Sequence, residues 1–322
     1  MAVTEKATIV VPGDDPEMIK NSPHLERLGS YGEVVVYTDR PSSLEEKVER
    51  TRDANVVINS RGSVTWHKDA LSQLPNLKLI ATCSIGTDMI DLVAAKEQGI
   101  IVSNQPGRTA PVVAEHTFGL MFAAAKRAAF FTSEMKAGRW PRMDGMMLQG
   151  KTLGIVGTGN IGAEMARLGR AIGMNVIAWT FNPSPERAKA MQVDFVDLHD
   201  LLKTADVVSI HTKLTDDSHH LIGSRELQLM KPGALLINGA RGDIVDVNAL
   251  VAALDSGHLG GAAVDVYDIE PIPADYPLLA CEQVILTPHC ADMTPEGVDL
   301  LNEGAVDNVI AFLKGEPQNV VT

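Results

Sequence analysis

The sequence predicts an α/β protein built from two doubly wound domains, each with a parallel sheet. Two series of short β-branched runs alternate with helical patterns, one in the first hundred residues and one after residue 150. Such alternation is typical of parallel sheets whose strands are joined by crossover helices. A length of 322 residues is also too great for one core and suits two domains of ordinary size.

Each predicted element follows from a local pattern. The first series of strands reads ATIVVP, EVVVY, NVVIN, LKLIATC and GIIVSN, and the second reads TLGIVG, NVIAWT, DVVSIH, ALLINGA, GAAVDV and QVILTP. Between them, residues 109–137 contain few helix breakers, and Pro111 stands near the start, where a missing N–H is tolerated. We expect one long helix here, linking the two domains. The amphipathic tail PEGVDLLNEGAVDNVIAFLKG predicts a final helix that returns to the first domain.

Composition and charge exclude several classes of function. A formal net charge of −13 argues against a nucleic-acid partner or an anionic membrane surface. The N-terminus lacks a signal-like pattern and no apolar run is long enough to span a membrane, so we expect a cytoplasmic protein. The three cysteines, Cys83, Cys281 and Cys290, lack C-x-x-C spacing. Reduced thiols and no bound metal are therefore expected.

The run TLGIVGTGNIG places glycines at 157, 159 and 162 after a predicted strand and before the helical pattern AEMARLGRAIG. Gly157 permits a tight turn, Gly159 lets the backbone approach a pyrophosphate, and Gly162 lets the helix pack on the strand. The helix N-terminus, with Asn160 and Ile161 in its first turn, offers N–H groups and a positive dipole to phosphates. A glycine-rich turn without a ligand is the simpler alternative, but the flanking strand and helix favour a bound dinucleotide.

Three complementary polar side chains follow strands of the same predicted sheet. Arg241 follows ALLINGA, Glu270 follows AAVDVYDI, and His289 follows VILTP. Each alone has an ordinary interpretation: a surface ion pair, a solvated loop charge and a loop histidine. In open α/β sheets, however, ligands bind at the carboxyl ends of the strands, so the joint placement favours a common site.

The chemistry of these three side chains fits hydride transfer between a nicotinamide and a carbonyl carbon. His289 is the predicted proton donor, because a histidine ordinarily titrates near neutrality. Glu270 is expected to fix the tautomer of that ring and to favour its imidazolium form. The planar guanidinium of Arg241 is suited to bind a carboxylate at two points. The predicted substrate is therefore a 2-oxo or 2-hydroxy acid.

Four blocks in order resemble the D-isomer-specific 2-hydroxyacid dehydrogenase family: GIVGTGNIG, LMKPGALLINGARGDIVD, LGGAAVDVYDIEP and VILTPHCAD. The resemblance implies that the arginine, glutamate and histidine above are the catalytic set, and that the cofactor is NAD or NADP. It also implies a Rossmann cofactor domain, residues 105–290, inserted in a flavodoxin-like substrate domain, residues 1–104 plus 291–322.

The resemblance extends to residues that would contact substrate. The run CSIGTD, with Ser84, Ile85 and Gly86, is similar to the family's glycine loop, whose backbone N–H groups hold the substrate carboxylate. Its alternative is a plain strand-to-helix turn. Arg61 in NSRGSVT resembles a residue of a loop that lines the substrate side in phosphoglycerate dehydrogenase members.

The resemblance also places residues near the cofactor. Asp265 corresponds to an aspartate near the nicotinamide carboxamide, and the backbone of Gly239 and Ala240 would lie beside the same ring. Asp265 has an alternative reading as an ordinary strand-end charge. Thr180 occupies the place where NAD-using members carry an acid for the ribose hydroxyls, and no Asp or Glu occurs from 175 to 185. The choice between NAD and NADP stays open, with NADP tolerated more readily than in a typical member.

The predicted function is an NAD(P)-dependent D-2-hydroxyacid dehydrogenase working as a 2-oxo acid reductase. Phosphoglycerate dehydrogenase-like and formate or phosphite dehydrogenase-like enzymes are the alternatives within the same class. A cofactor-sensing, corepressor-like binding protein is the alternative from another class. A homodimer is expected, because residues 109–137 carry more aromatic surface than one crossover helix needs: Phe118, Phe122, Phe130 and Phe131.

Overall fold

The computed structural model describes residues 6–322. Its strands are β1 Ala7–Val11, β2 Gly32–Val36, β3 Val56–Asn59, β4 Leu79–Thr82, β5 Ile101–Ser103, β6 Thr152–Val156, β7 Asn175–Trp179, β8 Asp194–Phe195, β9 Val207–Ile210, β10 Leu235–Asn238, β11 Gly261–Val264 and β12 Val284–Leu286. Its α-helices are α1 Leu44–Thr51, α2 Lys68–Leu71, α3 Leu92–Glu97, α4 Ala110–Ala125, α5 Ala128–Lys136, α6 Asn160–Ala171, α7 Pro185–Met191, α8 Leu198–Thr204, α9 Ser224–Leu229, α10 Val247–Asp255 and α11 Pro295–Leu313. No helix among the described residues is long and apolar enough to cross a membrane.

The chain divides into two compact units. Unit 1 contains the residues up to Thr109 together with Met293–Thr322, and unit 2 contains Ala110–Asp292. The sequence placed both junctions a few residues earlier, after residues 104 and 290. The first junction lies later because the segment before α4 bonds within unit 1: the Gln105 side chain donates to the carbonyl oxygen of Thr82.

Unit 1 is built on a five-stranded parallel sheet with the order β2-β1-β3-β4-β5. This is the flavodoxin-like order, and it contains the five strands predicted from the first series. Every residue of β3 and β4 is buried, as expected for central strands covered on both faces. Helix α11 packs on β4, and its Leu301, Val306 and Val309 join a core that includes Ile9 of β1.

Unit 2 is built on a seven-stranded parallel sheet with the order β12-β11-β10-β9-β6-β7-β8. From β8 to β11 this is the Rossmann order, so the strand order reverses between β6 and β9. The fold class predicted from the sequence is confirmed. Strand β8 was not predicted, because two residues at a sheet edge give no β-branched run.

The single long helix predicted over 109–137 is wrong. Helix α4 ends at Ala125, and α5 starts only after Arg127, which has a left-handed backbone with φ of 52°. The break is stabilised from a distance, because the N–H of Met146 donates to the carbonyl oxygen of Ala125 at 2.7 Å. The ammonium group of Lys126 in turn donates to the carbonyl oxygen of Met146 at 2.7 Å.

Candidate active site

The glycine loop, residues 157–162 after β6, has two glycines with no room for a side chain and a third, Gly159, with open space beside it. Gly157 has φ of +101°, and a Cβ there would lie 2.5 Å from the backbone nitrogen of Thr212. A Cβ at Gly162 would lie 2.1 Å from the carbonyl oxygen of Gly157. A Cβ at Gly159 would meet nothing within 4 Å. Thus Gly157 and Gly162 are required by the turn and the helix packing, while Gly159 leaves space for a ligand to approach the backbone.

Helix α6 presents its N-terminus at this loop. Gly159 is the N-cap and supplies no side chain, and the first intrahelical bond runs from the N–H of Ala163 to the carbonyl oxygen of Gly159. The N–H groups of Asn160 and Ile161 precede that bond, so they belong to the turn that binds anions in helices of this kind. The residues of the motif therefore fit a dinucleotide diphosphate.

The end of β7 lies beside the glycine loop. Trp179 accepts a backbone hydrogen bond of 2.8 Å from the loop, and Thr180 follows it directly. The guanidinium of Arg187 lies here as well, donating to the Thr158 hydroxyl at 3.3 Å and to the Asn182 carbonyl oxygen at 3.2 Å. The sequence predicted no role for Arg187, but the turn into α7 brings its side chain back to the glycine loop.

Glu270 and His289 form the pair that the sequence predicted, at the carboxyl ends of β11 and β12. His289 Nδ1 lies 2.7 Å from Glu270 Oε2, and the Tyr267 N–H donates to Glu270 Oε1 at 2.9 Å. Burial alone would raise the pKa of Glu270, but the hydrogen bonds from His289 and Tyr267 and the charge of Arg241 outweigh it, so this pKa lies below its usual value. The carboxylate is therefore ionised at neutral pH, and it orients the ring.

Arg241 follows β10 in a loop that packs tightly on the neighbouring one. The Asn238 side chain donates to the carbonyl oxygen of Arg241 at 2.9 Å, and Arg241 Nη1 donates to the carbonyl oxygen of Ala240 at 2.7 Å. A Cβ at Gly242 would lie 2.0 Å from the carbonyl carbon of Tyr267, so only glycine permits this approach. Arg241 is near enough to Glu270 for its positive charge to lower the pKa of that carboxyl group.

Asp265, at the end of β11, is fully buried and holds the loop that carries the histidine. Its carboxylate accepts hydrogen bonds from the Thr287 hydroxyl at 2.5 Å, the Cys290 N–H at 3.0 Å and the Ala291 N–H at 3.1 Å. Burial would raise the pKa of Asp265, but the hydrogen bonds from His116, Thr287 and the Cys290 N–H outweigh it and keep the pKa below its usual value. The sequence predicted a nicotinamide contact for Asp265 and missed this anchoring role.

Tyr267 is a second residue of this region that sequence reasoning missed. Its hydroxyl donates to the Thr287 carbonyl oxygen at 2.9 Å, and burial raises its pKa to about 12, so the phenol stays protonated. The residue ties the glutamate loop to the histidine loop. The only signal for it was its position between Asp265 and Glu270 in the block AAVDVYDIE.

In unit 1, the residues predicted to contact substrate follow the neighbouring strands β3 and β4. Arg61 lies two residues after the end of β3 with a left-handed φ of 47°, which is uncommon for a residue with a side chain. Burial raises the pKa of the Cys83 thiol to about 12, and the charge of Arg61 acts on the same thiol in the opposite direction. Arg61 and Cys83 are therefore close to each other, and the Cys83 thiol stays protonated.

The loop Ser84–Gly86, called here the 84–86 loop, has all of its carbonyl groups bound within unit 1. The carbonyl oxygen of Ser84 accepts from the Gln105 N–H at 3.0 Å, and that of Ile85 accepts from the Asn104 side chain at 2.7 Å. The carbonyl oxygen of Gly86 accepts from the Ser84 hydroxyl at 2.7 Å. With its carbonyl groups bonded, the loop has its backbone N–H groups to offer to an anion, and successive backbone N–H groups are a known way to bind one.

Comparison with known proteins agrees with this arrangement. Residues 118–291 match the D-isomer specific 2-hydroxyacid dehydrogenase NAD binding domain. A glyoxylate reductase of Aeropyrum pernix is 38% identical over 308 residues, which are 92% of each chain. A D-3-phosphoglycerate dehydrogenase of Methanocaldococcus jannaschii is 40% identical over 301 residues, which cover 92% of this chain and 57% of that protein.

A similar architecture is known from a solved structure. The crystal structure of a glyoxylate reductase from Paecilomyes thermophila has a TM-score of 0.88 and 30% identity, and the match covers 99% of both chains. The chain belongs to the D-isomer specific 2-hydroxyacid dehydrogenase family, NAD(P)-dependent oxidoreductases that act on CH–OH groups.

Proposed function

We propose that the protein reduces small, unphosphorylated 2-oxo acids, with glyoxylate as the first candidate, and that Arg241, Glu270 and His289 carry the reaction. The observation that carries this proposal is the 2.7 Å pair of Glu270 and His289, on the sheet that also bears the glycine loop. The small substrates named for two of the relatives support the choice of glyoxylate. The alternative of a corepressor-like binding protein has no comparable support.

In the proposed mechanism, the Glu270 carboxylate accepts the Nδ1–H of His289 and fixes the ring, which leaves Nε2 as the atom that transfers a proton. During reduction, His289 Nε2 donates a proton to the substrate carbonyl oxygen, which becomes the hydroxyl of the product. The guanidinium of Arg241 binds the substrate carboxylate and polarises the adjacent carbonyl. The nicotinamide cofactor, when bound, supplies the hydride to the carbonyl carbon.

We assign the cofactor diphosphate to the glycine loop and to the first turn of α6. The nicotinamide is assigned to Gly239, Ala240 and Asp265, at the carboxyl ends of β10 and β11 beyond the point where the strand order reverses. In unit 1, we assign the substrate carboxylate to the N–H edge of the 84–86 loop, with Arg61 as a further contact. The inward hydrogen bonds of that loop support this assignment.

An unphosphorylated substrate is favoured by the ion pairs of unit 1. A phosphate would need a base besides Arg61, and Arg108 is the other arginine near the predicted loops. The Arg108 guanidinium is already held by Glu303 at 2.8 Å and by Asp307 at 2.5 Å. Because both ends of its fork are taken by carboxylates, Arg108 offers no charge to a phosphorylated acid.

For the cofactor, we propose that NADPH is used at least as well as NADH, with Arg187 binding the 2′-phosphate. Arg187 contacts both the glycine loop and the segment after Thr180, and no acid occurs from 175 to 185.

Arg187→Ala should raise the KM for NADPH about 10- to 100-fold, the equivalent of one charged hydrogen-bonded contact, and leave the KM for NADH unchanged. Arg167→Ala, which removes an exposed arginine of α6 paired with Glu164, is the matched control. Equal changes with both cofactors would refute the assignment.

The proposed reaction is tested by the oxidation of NADPH and NADH at 340 nm with a panel of 2-oxo acids. The panel contains glyoxylate, hydroxypyruvate, pyruvate, a bulky aromatic 2-oxo acid and phosphohydroxypyruvate. We expect the highest kcat/KM among the small unphosphorylated acids. Preference for the phosphorylated acid would overturn the substrate assignment, and cofactor binding without turnover of any acid would favour the binding-protein alternative.

We further propose that two copies associate through α5 and the segment after it. Phe118 and Phe122 pack against the core of unit 2, whereas Phe130 and Phe131 lie on α5, a helix with no buried residue. Met135 on α5 is exposed, and so are Trp140, Met143 and Met147 in the segment that follows it in sequence. Trp140→Glu should shift the light-scattering mass from dimer to monomer; a monomeric parent protein at micromolar concentration would contradict the proposal.

A cytoplasmic location is also proposed. The described residues form no disulfide, and Cys83 and Cys281 are buried thiols, which suits a reducing compartment. Fractionation of the producing cells, with the reductase activity as the marker, tests the location. Recovery of the activity outside the cytoplasmic fraction would contradict it.

A further inference from the structure

Behind the 84–86 loop, three asparagines form a continuous chain of hydrogen bonds within unit 1. The Asn104 side-chain amide donates to the carbonyl oxygen of Ile85 at 2.7 Å. The backbone of Asn104 is held in turn: its carbonyl oxygen accepts from the Asn308 side chain at 2.9 Å, and its N–H donates to the carbonyl oxygen of Asn319 at 3.1 Å. The Asn319 side chain closes the network by donating to Asn308 Oδ1 at 2.9 Å.

The middle member of this network, Asn308, is buried on α11 among mostly apolar residues. Asn308 is 1% exposed, and its neighbours on the helix include the core residues Ala305 and Val309. Its amide nitrogen donates to Asn104 and its amide oxygen accepts from Asn319. These two hydrogen bonds offset the desolvation free energy of the buried amide, and they do so only while Asn104 and Asn319 stay in place. The buried Asn308 amide therefore fixes the positions of the two segments that bond to it, at Asn104 and at Asn319.

The segment after α11 is fastened along the edge strand β5. The N–H of Val321 donates to the carbonyl oxygen of Val102 at 2.9 Å, and Val320 forms an antiparallel bridge with Ser103. Val102 and Ser103 directly precede Asn104, so these contacts hold the backbone of Asn104 in place. The Asn104 side chain reaches the 84–86 loop from that backbone. The segment thus acts on the 84–86 loop through Asn104 without lying in it.

We propose that Asn104, Asn308 and Asn319 are positioning residues that hold the N–H edge of the 84–86 loop ready for the substrate carboxylate. The proposal rests on the proposed function for the identity of the ligand. Its structural part, the dependence of the loop on the asparagine network, stands on the hydrogen bonds alone. A loop held in its binding conformation binds its ligand more tightly, because less ordering is needed on binding.

The first test compares kinetics for Asn104→Ala and Asn319→Ala with the parent protein, using glyoxylate and NADPH. Losing one neutral hydrogen bond should raise the KM for glyoxylate about three- to tenfold in each variant, with kcat and the Kd for NADPH within twofold. Asn55→Ala is the matched control. It removes the side chain that accepts from the Thr8 N–H at 2.9 Å, just before β3 and at the opposite end of the same sheet. The control should lose stability to a similar extent without a change in KM.

A second test reads the loop directly and does not depend on turnover. Hydrogen exchange of the Gln105 backbone amide, which donates to the carbonyl oxygen of Ser84 in the loop, should speed up at least tenfold in Asn104→Ala and in Asn319→Ala, but not in Asn55→Ala. Asn104→Asp should be at least as severe as Asn104→Ala, because a carboxylate oxygen would face the carbonyl oxygen of Ile85 with no proton to donate.

The two tests separate the possible failures. An unchanged KM for glyoxylate together with parent-like exchange in both alanine variants would overturn the network. Faster exchange in a protein that turns over no 2-oxo acid would support the network and refute the proposed function.

Discussion

Replacing the buried Asp265 tests the proposed site most sharply. The smallest such change is Asp265→Asn, which keeps the size of the side chain and removes its charge. The two oxygens divide their partners: Oδ1 accepts from the Thr287 hydroxyl and the Cys290 N–H, and Oδ2 accepts from the Ala291 N–H. If the amide keeps its oxygen at the Oδ1 position, its NH2 group faces the N–H of Ala291, so two donors oppose each other in a buried site.

The size of the effect follows from these contacts. A hydrogen bond to a charged group and a buried N–H left without an acceptor each amount to about 1–3 kcal/mol, and the loop can relax, so we expect a loss of about 3 kcal/mol in unfolding free energy. His289 directly precedes Cys290, so the same change displaces the ring. A displacement of about 1 Å costs on the order of 100-fold in kcat.

The assay is urea unfolding together with NADPH-dependent reduction of glyoxylate. Thr287→Val is the control, because it removes one donor and leaves the carboxylate with both of its backbone partners. It should cost about 1 kcal/mol and little activity. A kcat for Asp265→Asn within twofold of the parent value would refute the anchoring role.

The same carboxylate makes a testable contribution to acid stability. The pKa of Asp265 is lower in the folded protein than its usual value, so its contribution is complete above about pH 4, the ordinary aspartate range, and is lost as the pH falls through the folded pKa. The stability difference between the parent and Asp265→Asn should therefore be constant from about pH 5 to 7 and shrink below about pH 4. A difference that grew on acidification would show that the sign is wrong.

Three further changes probe the remaining roles. His289→Ala should lower kcat by about 10²- to 10⁴-fold while the Kd for NADPH is kept, because general acid catalysis contributes about that much; normal turnover would remove His289 from the mechanism. Arg241→Lys keeps the charge but loses the two-point fork, so the KM for glyoxylate should rise about tenfold, and unchanged kinetics would favour an ordinary surface role. Thr180→Asp should raise the NADH-to-NADPH ratio of kcat/KM, since a like charge beside a 2′-phosphate costs several kcal/mol; an unmoved ratio would mean that Thr180 is not at the ribose.

The elements that could be predicted from the sequence are those in which the burial of the residues produces a recognisable local pattern of apolar side chains. Strands β9 and β10 are buried at every residue and each has three apolar residues out of four, whereas the edge strand β8 has only two residues and no such run. The break at Arg127 was not predictable from local pattern, because Met146, nineteen residues later, supplies the N–H that ends α4. Helix propensity gave way there to a tertiary contact.

The candidate site shows the same division. The glycine spacing and the strand-end positions of Glu270 and His289 were sufficient to predict their pairing, because parallel strands end at one edge of a sheet. The anchoring by Asp265 was missed because two of its partners are backbone N–H groups, which leave no trace in a sequence. Arg187 was passed over because the sequence does not show how tightly the chain turns between β7 and α7.

The route of the chain through unit 1 also has a consequence for how the protein acquires its structure. Unit 2 is one continuous segment that is complete before α11 has been translated, whereas the core that contains Ile9 is covered by Leu301 and Val306 only once α11 has been made. Contacts so distant in sequence form slowly, and an uncovered apolar sheet face is prone to aggregate while it waits. Unit 2 can therefore fold while the chain is still being made, whereas the core of unit 1 stays incomplete until α11 has emerged.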